Sequence, residues 1–583
     1  MERTLTGISA SPGIAIGPVR LLLWEVPEVP HAIIPDDQVE AEIARFHAAR
    51  GEARQRLDQV RRRVEERAGA TEAAIFEVQQ MLLDDPVMLE EVESLIRHNV
   101  GAEQAFHQHM ADWRHRYTRA TDSYLRERVG DILDLEIRML SILLGLQDHD
   151  PLDIPSGQTV VLVSHDLTPS LTVQLERSSI TAIATDVGTR TSHVAILARS
   201  LGIPAVVGLR DATDRLTGGE LVILDGSAGT VNVNPTDAEL ALYRDRERLE
   251  AERTVDLAQL ATADAVSVDG VDVVLLANVD VPDEAERAAR SGARGVGLMR
   301  TEFLVLGRAQ MPDEEEQYRA YRRVVEAFAG QPVIIRTFDI GGDKLPVGGF
   351  PQEANPFLGW RAIRMCLDQP ELFKVQLRAL LRTAVHGDVR ILLPLIVSAS
   401  EVRETTELLS ESAAELEAAG VPYRGDVPLG VMVETPAAAV IADKLAPLVS
   451  FFSVGTNDLV QYTLAVDRGN VNLASRFTSM HPSVLRLIRR VVEVGISHRV
   501  EVGVCGEMAS HPLTAYTLVG LGIRELSVAA RSVPVVKRLI RGICVAHAET
   551  AVREALDVGT AEEAESILRA SLISAVGDAG LLE

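Results

Sequence analysis

Eight short apolar segments, separated by amphipathic helical segments, dominate the second half of the chain and most restrict what it can fold into. The segments are VVLLAN at 273–278, GVGLMRTE at 295–302, VIIRTFD at 333–339, RILLPLI at 390–396, LGVMVET at 429–435, FFSVGTND at 451–458, VGVCGEM at 502–508 and ELSVAAR at 525–531. Continuously apolar strands that alternate with helices are typical of a parallel sheet covered on both faces. Eight such units predict a closed (β/α)8 barrel, and the roughly 320 residues available suit that fold.

Polar side chains end six of the eight segments, at the positions where a barrel of this kind carries its chemistry. They are Asn278, Arg300, Glu302, Arg336, Asp339, Glu434, Asn457, Asp458, Cys505 and Glu507, with Arg468 shortly after the sixth segment. Several arginines that converge on one site suit a substrate with more than one anionic group, because a guanidinium binds phosphate and carboxylate oxygens through two parallel hydrogen bonds. The sequence therefore predicts one anion-binding mouth.

The carboxylates among these arginines have two interpretations. Each could form an ion pair with an arginine, or Glu434 and Asp458 could hold a hard cation that also contacts the substrate. Mg²⁺ fits the second interpretation because it takes one or two carboxylates and leaves positions for substrate oxygens. Cys505 has two interpretations as well, a small buried hydrophobe or a proton donor at the mouth.

A loop after the third segment, FDIGGDKLP at 338–346, adds a further candidate phosphate contact. Its glycine pair permits close approach of the backbone to a phosphate, and Lys344 supplies a positive charge. Glycine pairs also make ordinary turns, so the loop supports the anion-binding mouth without defining it.

The first half of the chain has one comparable stretch, ATDVGTRTSHVAILARS at 184–200. Thr191 and Ser192 are good N-cap residues before an apolar helical pattern, which predicts His193 at or just inside a helix N-terminus. Backbone N–H groups, the helix dipole and Arg190 favour an anion there. Because the dipole opposes an imidazolium, this position suits a nucleophile that carries a phosphoryl group. The alternative is a capping-region histidine without chemistry, and the stretch alone leaves both open.

The remaining patterns divide the chain into segments. Strand-like runs at 159–164, 180–186, 205–209 and 220–234, the last a hairpin, share their Gly/Pro-rich β character with the opening GISASPGIAIGPVRLLL, so the N-terminal strand is expected to join them. Residues 36–146 are almost wholly helical in pattern and form an insertion. The predicted fold class is α/β, with these limits: an α/β domain at 1–30 and 147–235, an inserted helical bundle at 31–146, a helical linker at 236–262 and a C-terminal (β/α)8 barrel at 263–583.

Charge and composition exclude several classes of protein. A net charge of −26 disfavours binding to nucleic acid or to an anionic membrane and suits a small basic protein partner. Three scattered cysteines are too few for a disulfide framework or a zinc site. The chain has no run of apolar residues long enough to span a membrane and no signal-peptide pattern at its start, so we expect a cytoplasmic protein.

Taken together, these motifs resemble enzyme I of the bacterial phosphoenolpyruvate-dependent sugar phosphotransferase system. The resemblance covers the whole chain, and the segments that carry it occur in the order of that family: SPGIAIG, TSHVAILARSLGIPAVVG, GVGLMRTEFL, RTFDIGGDK, NPFLGWRAIR, VMVETPAA, FFSVGTNDLVQYTLAVDR and VGVCGEMA. The sequence departs from the family pattern at Thr189, where a glycine is usual, at Val194, where a smaller residue is commoner, and near Gln79, where the family often has a histidine.

The resemblance implies a reaction and a role for each site residue. Phosphoenolpyruvate would bind in the barrel with Mg²⁺, and its phosphoryl group would pass to Nε2 of His193 and then to a histidine of a small phosphocarrier protein. Carried over by position, the substrate would be contacted by Arg300, Arg336, Asn457 and Arg468, and the metal would be bound by Glu434 and Asp458. The proton would come from Cys505, and the supporting residues would be Arg190, Thr191, Lys344 and Arg361. The resemblance also implies a swivelling phosphohistidine domain, a carrier that docks on the helical insertion and a homodimer formed through the barrel.

Two alternatives remain at this stage. One is an enzyme like phosphoenolpyruvate synthase or pyruvate phosphate dikinase that lacks its nucleotide domain, since no GxxxxGK[ST] stretch occurs. The other is a regulatory relative without turnover. The complete set of arginine, carboxylate, cysteine and histidine residues argues against the second alternative.

Overall fold

The computed structural model describes the chain except for residues 1–3, 23–25, 69, 119–128, 147–157, 168–170, 172–178, 189–193, 196–197, 199–201, 306–309, 342–354, 468–472, 474–475 and 578–583. At 63–68, 70–75, 118 and 249–259 it describes the backbone alone. The chain divides into two compact units, Met1–Glu252 and Arg253–Glu583.

The first unit contains an eight-stranded sheet in the order β1-β8-β7-β3-β4-β5-β6-β2. Its strands are β1 Thr4–Thr6, β2 Ile8–Ser11, β3 Ile14–Leu22, β4 Val160–Ser164, β5 Ile180–Thr185, β6 Ala205–Val207, β7 Leu221–Asp225 and β8 Thr230–Val233. Strand β3 pairs in parallel with β4 and antiparallel with β7, which confirms that the N-terminal strand joins the later ones. Strands β7 and β8 form the predicted hairpin.

Successive residues of β4 pack into different cores, as the two-residue repeat of a strand requires. Val161 and Val163 belong to one apolar cluster, whereas Leu162 belongs to another with Val194 and Ala195. The sheet is therefore buried on both faces, which explains why its central strands are continuously apolar in sequence.

The helical insertion lies between β3 and β4 in the chain. Its helices are α1 Val39–Ala68, α2 Ala70–Leu83, α3 Pro86–Arg97, α4 Ala102–Thr118 and α5 Val129–Leu143. The predicted periodic residues of α1, among them Ile43, Phe46 and Leu57, are buried in the core of this helical group. Asp85 begins α3 by accepting hydrogen bonds from the N–H groups of Val87 and Met88.

The charged stretch after β8 forms the expected helix, Asp237–Gln259. Thr236 and Glu239 fix its start, because the Glu239 carboxylate accepts hydrogen bonds from the backbone N–H (2.7 Å) and hydroxyl (2.8 Å) of Thr236. Leu242 on this helix is 59% exposed, in keeping with a sequence that has too few apolar residues for a core helix.

The second unit is a closed parallel barrel of eight strands, β9 to β16, as the sequence predicts. The strands are β9 Val274–Val279, β10 Val296–Met299, β11 Val333–Arg336, β12 Val389–Leu393, β13 Leu429–Val433, β14 Phe451–Val454, β15 Glu501–Val504 and β16 Glu525–Ala529. Each lies within, or shifted by one residue from, one of the eight apolar segments. Strands β9 and β16 pair with each other and close the barrel.

Helices surround the barrel and bury one face of each strand. They are Ala285–Arg290, Glu314–Ala327, Ile363–Asp368, Pro370–Thr383, Ala399–Ala418, Pro436–Val440, Ala442–Leu445, Thr456–Leu464, Pro482–His498, Pro512–Gly520, Val533–Gly542, Val545–Asp557 and Ala561–Val576. A smaller interior cluster fills the barrel: Leu276, Leu298, Ile334, Leu392, Met432, Phe451 and Cys505. Among the described helices, none combines the length and the apolar character that crossing a membrane requires.

Candidate active site

Arg336, the last residue of β11, lies at the centre of a buried charge cluster at the C-terminal end of the barrel. Its Nη2 is 2.9 Å from Oε1 of Glu302, and its Nη1 is 3.1 Å from Oδ2 of Asp339. All three residues are at least nine-tenths buried. Arg336 is therefore held between carboxylates from two neighbouring strand ends, while its Nε has no hydrogen-bond partner among the described residues.

Arg361 extends the cluster from the segment that follows the third strand. Its Nε and Nη2 donate to Oδ1 of Asp339 at 3.0 and 2.6 Å, and Nη2 lies 3.4 Å from Oδ2 of Asp458. Asp339 thus holds both buried guanidinium groups at once, one through each carboxylate oxygen. For Glu302, Asp339 and Asp458, the predicted pairing of carboxylates with arginines is observed.

Glu434 follows β13 and differs from the other carboxylates. It is 2% exposed, and its Oε1 accepts a hydrogen bond from the backbone N–H of Leu395 at 2.6 Å. No lysine or arginine side chain lies within ion-pair distance of it in the described part of the chain. Leu395 has a φ of 55°, in the left-handed region that a leucine rarely adopts, and this conformation accompanies the hydrogen bond to Glu434.

Glycine at position 455 makes room for the Glu434 side chain. A Cβ at Gly455 would lie 2.8 Å from Glu434 Oε2, closer than nonbonded atoms approach. Gly455 immediately precedes the helix Thr456–Leu464, whose first turn carries Asn457 and Asp458. Gly455, which follows β14, therefore allows Glu434 and Asp458 to lie at the same part of the mouth.

The electrostatics of Glu434 reflect its neighbours. Burial, reinforced by the carboxylates of Asp458 and Asp339, raises the pKa of Glu434 to about 8, although Arg336 and Arg361 oppose the shift. Four buried carboxylates, those of Glu302, Asp339, Glu434 and Asp458, thus face two buried guanidinium groups. A divalent cation would balance this excess of negative charge, so the donor set fits a hard metal ion held by two carboxylates.

The described residues contain no larger metal centre. Among them, no group of three or more histidine, cysteine, aspartate or glutamate side chains is arranged to hold a metal ion. A site with only two protein carboxylates is the arrangement that Mg²⁺ uses when substrate and water supply the other ligands.

Cys505 follows β15 and points into the barrel. It is 3% exposed, belongs to the interior apolar cluster, and its Sγ lies 3.8 Å from the carbonyl oxygen of Val454. Burial raises the pKa of the Cys505 thiol to about 11, and Glu434 adds to the shift against the influence of Ser453, Arg336 and Arg300. The thiol therefore keeps its proton at neutral pH beside the charge cluster.

The rim of the mouth carries the remaining described candidates. Arg300 forms an ion pair with Asp280 at 2.9 Å and is partly exposed. Asn457 and Glu507 form two reciprocal hydrogen bonds, each 3.2 Å long. These residues are open to solvent and surround the buried cluster.

Asn278 ties two strand ends together beneath the rim. It donates to the carbonyl oxygen of Cys505 at 3.3 Å and accepts from the hydroxyl of Ser527 at 2.6 Å. The predicted polar ends of β9 and β15 are thus in direct contact, which fixes the backbone that carries the thiol.

The structure brings together only part of the predicted site. Arg336, Arg361, Glu434, Asp458 and Cys505 form one cluster, with Arg300 and Asn457 at its rim. The other predicted residues lie outside the described residues: His193, Arg190, Thr191, Thr189, Lys344 and Arg468.

Two family departures fall on described residues. Val194 is 2% exposed and packs in a core of the sheet. Gln79 is fully buried and donates to Oδ2 of Asp134 at 2.8 Å, so its side chain lies inside the helical group and is not presented on its surface.

Sequence reasoning missed three contributors to the mouth. The N–H of Leu395 is a backbone donor and leaves no mark in the sequence. Tyr462 contacts Arg361 (3.5 Å) and donates to the carbonyl oxygen of Phe357 (2.5 Å); its place four residues after Asp458, on the same helix face, could have suggested it. Asp280, the partner of Arg300, follows directly after β9 and could have been included with the other strand ends.

Three family models match the chain in sequence order. The model described as "PEP-utilising enzyme, N-terminal" matches residues 6–128, and "PEP-utilising enzyme, mobile domain" matches 156–229. The model described as "PEP-utilising enzyme, PEP-binding domain" matches residues 255–545, which include the whole charge cluster.

Curated relatives align over almost their full length. A phosphoenolpyruvate-protein phosphotransferase of Bacillus sp. (strain S) is 41% identical over 571 residues, 97% of this chain and 98% of the relative. The protein of the same name from Geobacillus stearothermophilus is 42% identical over the same shares. That of Haemophilus influenzae is 41% identical over 98% of this chain and 99% of its own.

Proposed function

The chain belongs to the phosphoenolpyruvate-protein phosphotransferase family, and from that premise we propose how its residues carry the reaction. The protein transfers the phosphoryl group of phosphoenolpyruvate in the first step of phosphotransferase-type sugar uptake. In the proposal, the group passes to Nε2 of His193 and then to a histidine of a small phosphocarrier protein. The full-length match to phosphotransferases favours this function over the synthase-like and regulatory alternatives.

The buried cluster of Arg336, Arg361, Glu434 and Asp458 is the observation that carries the proposal. Phosphoenolpyruvate has a phosphate and a carboxylate, and two guanidinium groups held in fixed positions by Asp339 are preorganised for a substrate with two anionic groups. The proposed substrate contacts are Arg300, Arg336, Asn457 and Arg468, with Lys344 and Arg361 in support. Arg190 and Thr191 are proposed to support His193.

Glu434 and Asp458 are the proposed ligands of a divalent cation, and Mg²⁺ is the ion that suits two carboxylates best. When bound, the cation supplies charge neutralisation for the phosphoryl oxygens in the transition state. The raised pKa of Glu434 supports this assignment, because a carboxyl that is costly to ionise alone becomes stable as a carboxylate beside a cation.

Cys505 is the proposed acid of the reaction. The bond between phosphorus and the enol oxygen breaks as a bond forms between phosphorus and Nε2 of His193. The enolate of pyruvate then takes a proton at its methylene carbon from the Cys505 thiol, and the resulting thiolate regains a proton from solvent. The raised pKa of the thiol supports this role, since the group is protonated when the enolate forms.

Labelling tests the proposed acceptor. Incubation of the full chain with phosphoenolpyruvate labelled in its phosphoryl group, in the presence of Mg²⁺, should place one acid-labile phosphoryl group on the protein. His193→Ala should abolish labelling while phosphoenolpyruvate still binds the barrel, because the substrate contacts lie on other residues. Label that persists on another histidine, such as His165 or His481, would remove His193 from the mechanism.

Chelation tests the proposed cofactor. Removal of divalent cations should stop labelling of the wild-type chain without unfolding it, and added Mg²⁺ should restore labelling. An unchanged labelling rate in the presence of chelator, with the metal content verified by elemental analysis, would show that Glu434 and Asp458 do not hold a cation that the reaction needs.

The corner between α2 and α3 is the proposed docking surface for the phosphocarrier. Met81 and Val87 are 68% and 58% exposed there, and four acidic residues flank them along the two helices: Glu77, Asp84, Asp85 and Glu90. An apolar patch within an acidic rim suits a basic partner, whose approach to a chain of charge −26 is accelerated by attraction.

Charge reversal tests this surface. Glu77→Lys with Glu90→Lys should slow association with the carrier and flatten its salt dependence, with labelling of His193 unchanged. Asp85 is spared because it caps α3. The matched control is Glu404→Lys with Glu407→Lys, two exposed glutamates on an outer helix of the barrel, and equal slowing by both pairs would refute docking at the corner.

The remaining features of the proposal follow the family. The swivelling segment is 1–30 with 147–235, the helical insertion 31–146, the linker 236–262 and the barrel 263–583. The candidate hinges are 230–238 and the stretch 148–157, and the second of these lies outside the described residues. We place the protein in the cytoplasm as a homodimer formed through the barrel, which sedimentation can test with the barrel segment and the full chain.

A further inference from the structure

A buried chain of hydrogen bonds connects the outer helices of the barrel to the loop that carries Asp339. Gln317 donates from Nε2 to the carbonyl oxygen of Pro312 (3.0 Å) and accepts from the hydroxyl of Tyr321 (3.1 Å). The Tyr321 hydroxyl accepts from Nε2 of Gln376 (3.0 Å), whose Oε1 accepts from the backbone N–H of Phe338 (3.0 Å). Gln317, Tyr321, Gln376 and Phe338 are each no more than 1% exposed.

Backbone groups at both ends fix the direction of this chain. The carbonyl of Pro312 can only accept, so Gln317 turns its amide nitrogen toward it and its oxygen toward Tyr321. The N–H of Phe338 can only donate, so Gln376 must present its oxygen there and its nitrogen to Tyr321. A flipped Gln317 amide would set two acceptors against each other at Pro312, and a flipped Gln376 amide would set two donors against each other at Phe338, so only one arrangement satisfies every group.

The loop held by this chain of hydrogen bonds carries Asp339, which contacts both buried arginines of the charge cluster. Phe338 lies between Arg336 and Asp339, and the N–H of Asp339 donates to Oε1 of Glu302 at 3.2 Å. Two consecutive N–H groups are thus fixed, one by Gln376 from outside the barrel and one by Glu302 from the mouth. The Asp339 carboxylate, whose oxygens hold Arg336 and Arg361, is placed by this backbone.

We propose that Gln376 is a positioning residue for phosphoenolpyruvate binding, which acts by fixing the Phe338–Asp339 backbone and thereby the two buried guanidinium groups. This inference rests on the proposed substrate contact of Arg336 and the proposed supporting role of Arg361. Gln376 itself touches neither the substrate nor the reacting atoms. Its loss should weaken substrate binding in the ground state and the transition state alike, because Arg336 contacts phosphoenolpyruvate in both.

The test compares three substitutions in the full-length chain. Gln376→Met removes both amide hydrogen bonds at similar side-chain length. Thr383→Val is the matched control, since Thr383 is also buried on the helix Pro370–Thr383 but donates only to the carbonyl oxygen of Ala379 in its own helix. Tyr321→Phe keeps the bond from Phe338 to Gln376 but removes the group that orients the amide.

Initial labelling rates measured against phosphoenolpyruvate concentration give the readout. Gln376→Met should raise the half-saturating concentration roughly tenfold, with the maximal rate within about twofold of wild type. Tyr321→Phe should raise it roughly threefold, and Thr383→Val should leave it unchanged. A merely structural role would lower the melting temperature and the active fraction without moving the half-saturating concentration.

Two results with a folded Gln376→Met protein would overturn the inference. One is a wild-type half-saturating concentration, and the other is a rise in that concentration which Thr383→Val matches. If Gln376→Met does not fold, Tyr321→Phe decides, and a wild-type half-saturating concentration in that variant overturns the inference. Absence of labelling in the wild-type and Thr383→Val proteins would instead refute the proposed function.

Discussion

The two ends of the barrel each hold a carboxyl group with a raised pKa, and they differ in what surrounds it. At the C-terminal end, burial and two neighbouring carboxylates raise the pKa of Glu434 to about 8. At the N-terminal end, burial raises the pKa of Glu525 to about 7, with Arg390 opposing and Glu501 adding to the shift. The shifts alone do not distinguish a reactive end from a structural one.

The partners of the two carboxyls make the distinction. Arg336 and Arg361 at the C-terminal end are at most 8% exposed in their side chains and are shared among carboxylates from different strand ends. Arg390 at the N-terminal end pairs with Asp388 and Glu501, whose side chains are 41% and 72% exposed. Buried charges that converge from several strands mark the chemical end, whereas solvent-screened pairs mark the structural end.

The largest expected effect comes from the same substitution at each end. Glu434→Gln should reduce kcat/KM for phosphoenolpyruvate on the order of 10³-fold, because it removes a proposed carboxylate ligand of the divalent cation. Glu525→Gln should leave kcat/KM within about twofold of wild type. Steady-state kinetics with melting curves for both variants check this, and equal losses of activity would erase the distinction between the ends.

An arginine substitution at each end gives the next largest effect. Arg336→Met should reduce kcat/KM on the order of 10²-fold. It should also lower the free energy of unfolding by about 3 kcal/mol, because Glu302 and Asp339 lose a buried partner. Arg390→Met should change the free energy of unfolding by less than about 1 kcal/mol and leave kinetics unchanged, since its partners are exposed. Denaturant titration and kinetics of the same samples measure both quantities.

The smallest effect is a pH dependence that belongs to the structural end. The pKa of Glu525 is raised in the folded state, so the folded protein keeps a proton that the unfolded chain releases above about pH 4.5. Stability therefore falls as the pH rises from about 4.5 to above 7, and Glu525→Gln should lack that loss. If the free energy of unfolding depends on pH in the same way in the wild-type and Glu525→Gln proteins across this window, the pKa of Glu525 is not raised by folding.

Much of the fold could be predicted because its signals are local and repeated. Each of the eight barrel strands begins within one residue of the start of a predicted apolar segment, and β7 and β8 form a hairpin within the predicted run 220–234. The strand ends then identified Arg336, Glu434, Asp458 and Cys505, since the carboxyl ends of parallel strands meet at one face of a barrel.

The parts that could not be predicted depend on contacts between distant segments. Nothing in the residue type of Leu395 shows that its backbone N–H meets Glu434, because that donor is common to every residue except proline. Gln376 lies on a helix whose pattern is ordinary, and its contact with Phe338 arises only from the packing of that helix against the barrel. The ion pair of Arg361 with Asp339 likewise joins residues 22 positions apart, and neither residue type specifies the other as its partner.

A single-turnover experiment tests the central claim most directly. Phosphoenolpyruvate labelled in its phosphoryl group is mixed with an excess of the full-length chain and Mg²⁺, and pyruvate and acid-labile protein phosphate are measured in the same quenched samples. The account predicts that both products appear at one rate and in equal amounts in the wild-type and Glu525→Gln proteins, and that neither appears on that timescale in Glu434→Gln. Pyruvate without protein phosphate, or labelling of Glu434→Gln at the wild-type rate, would contradict it.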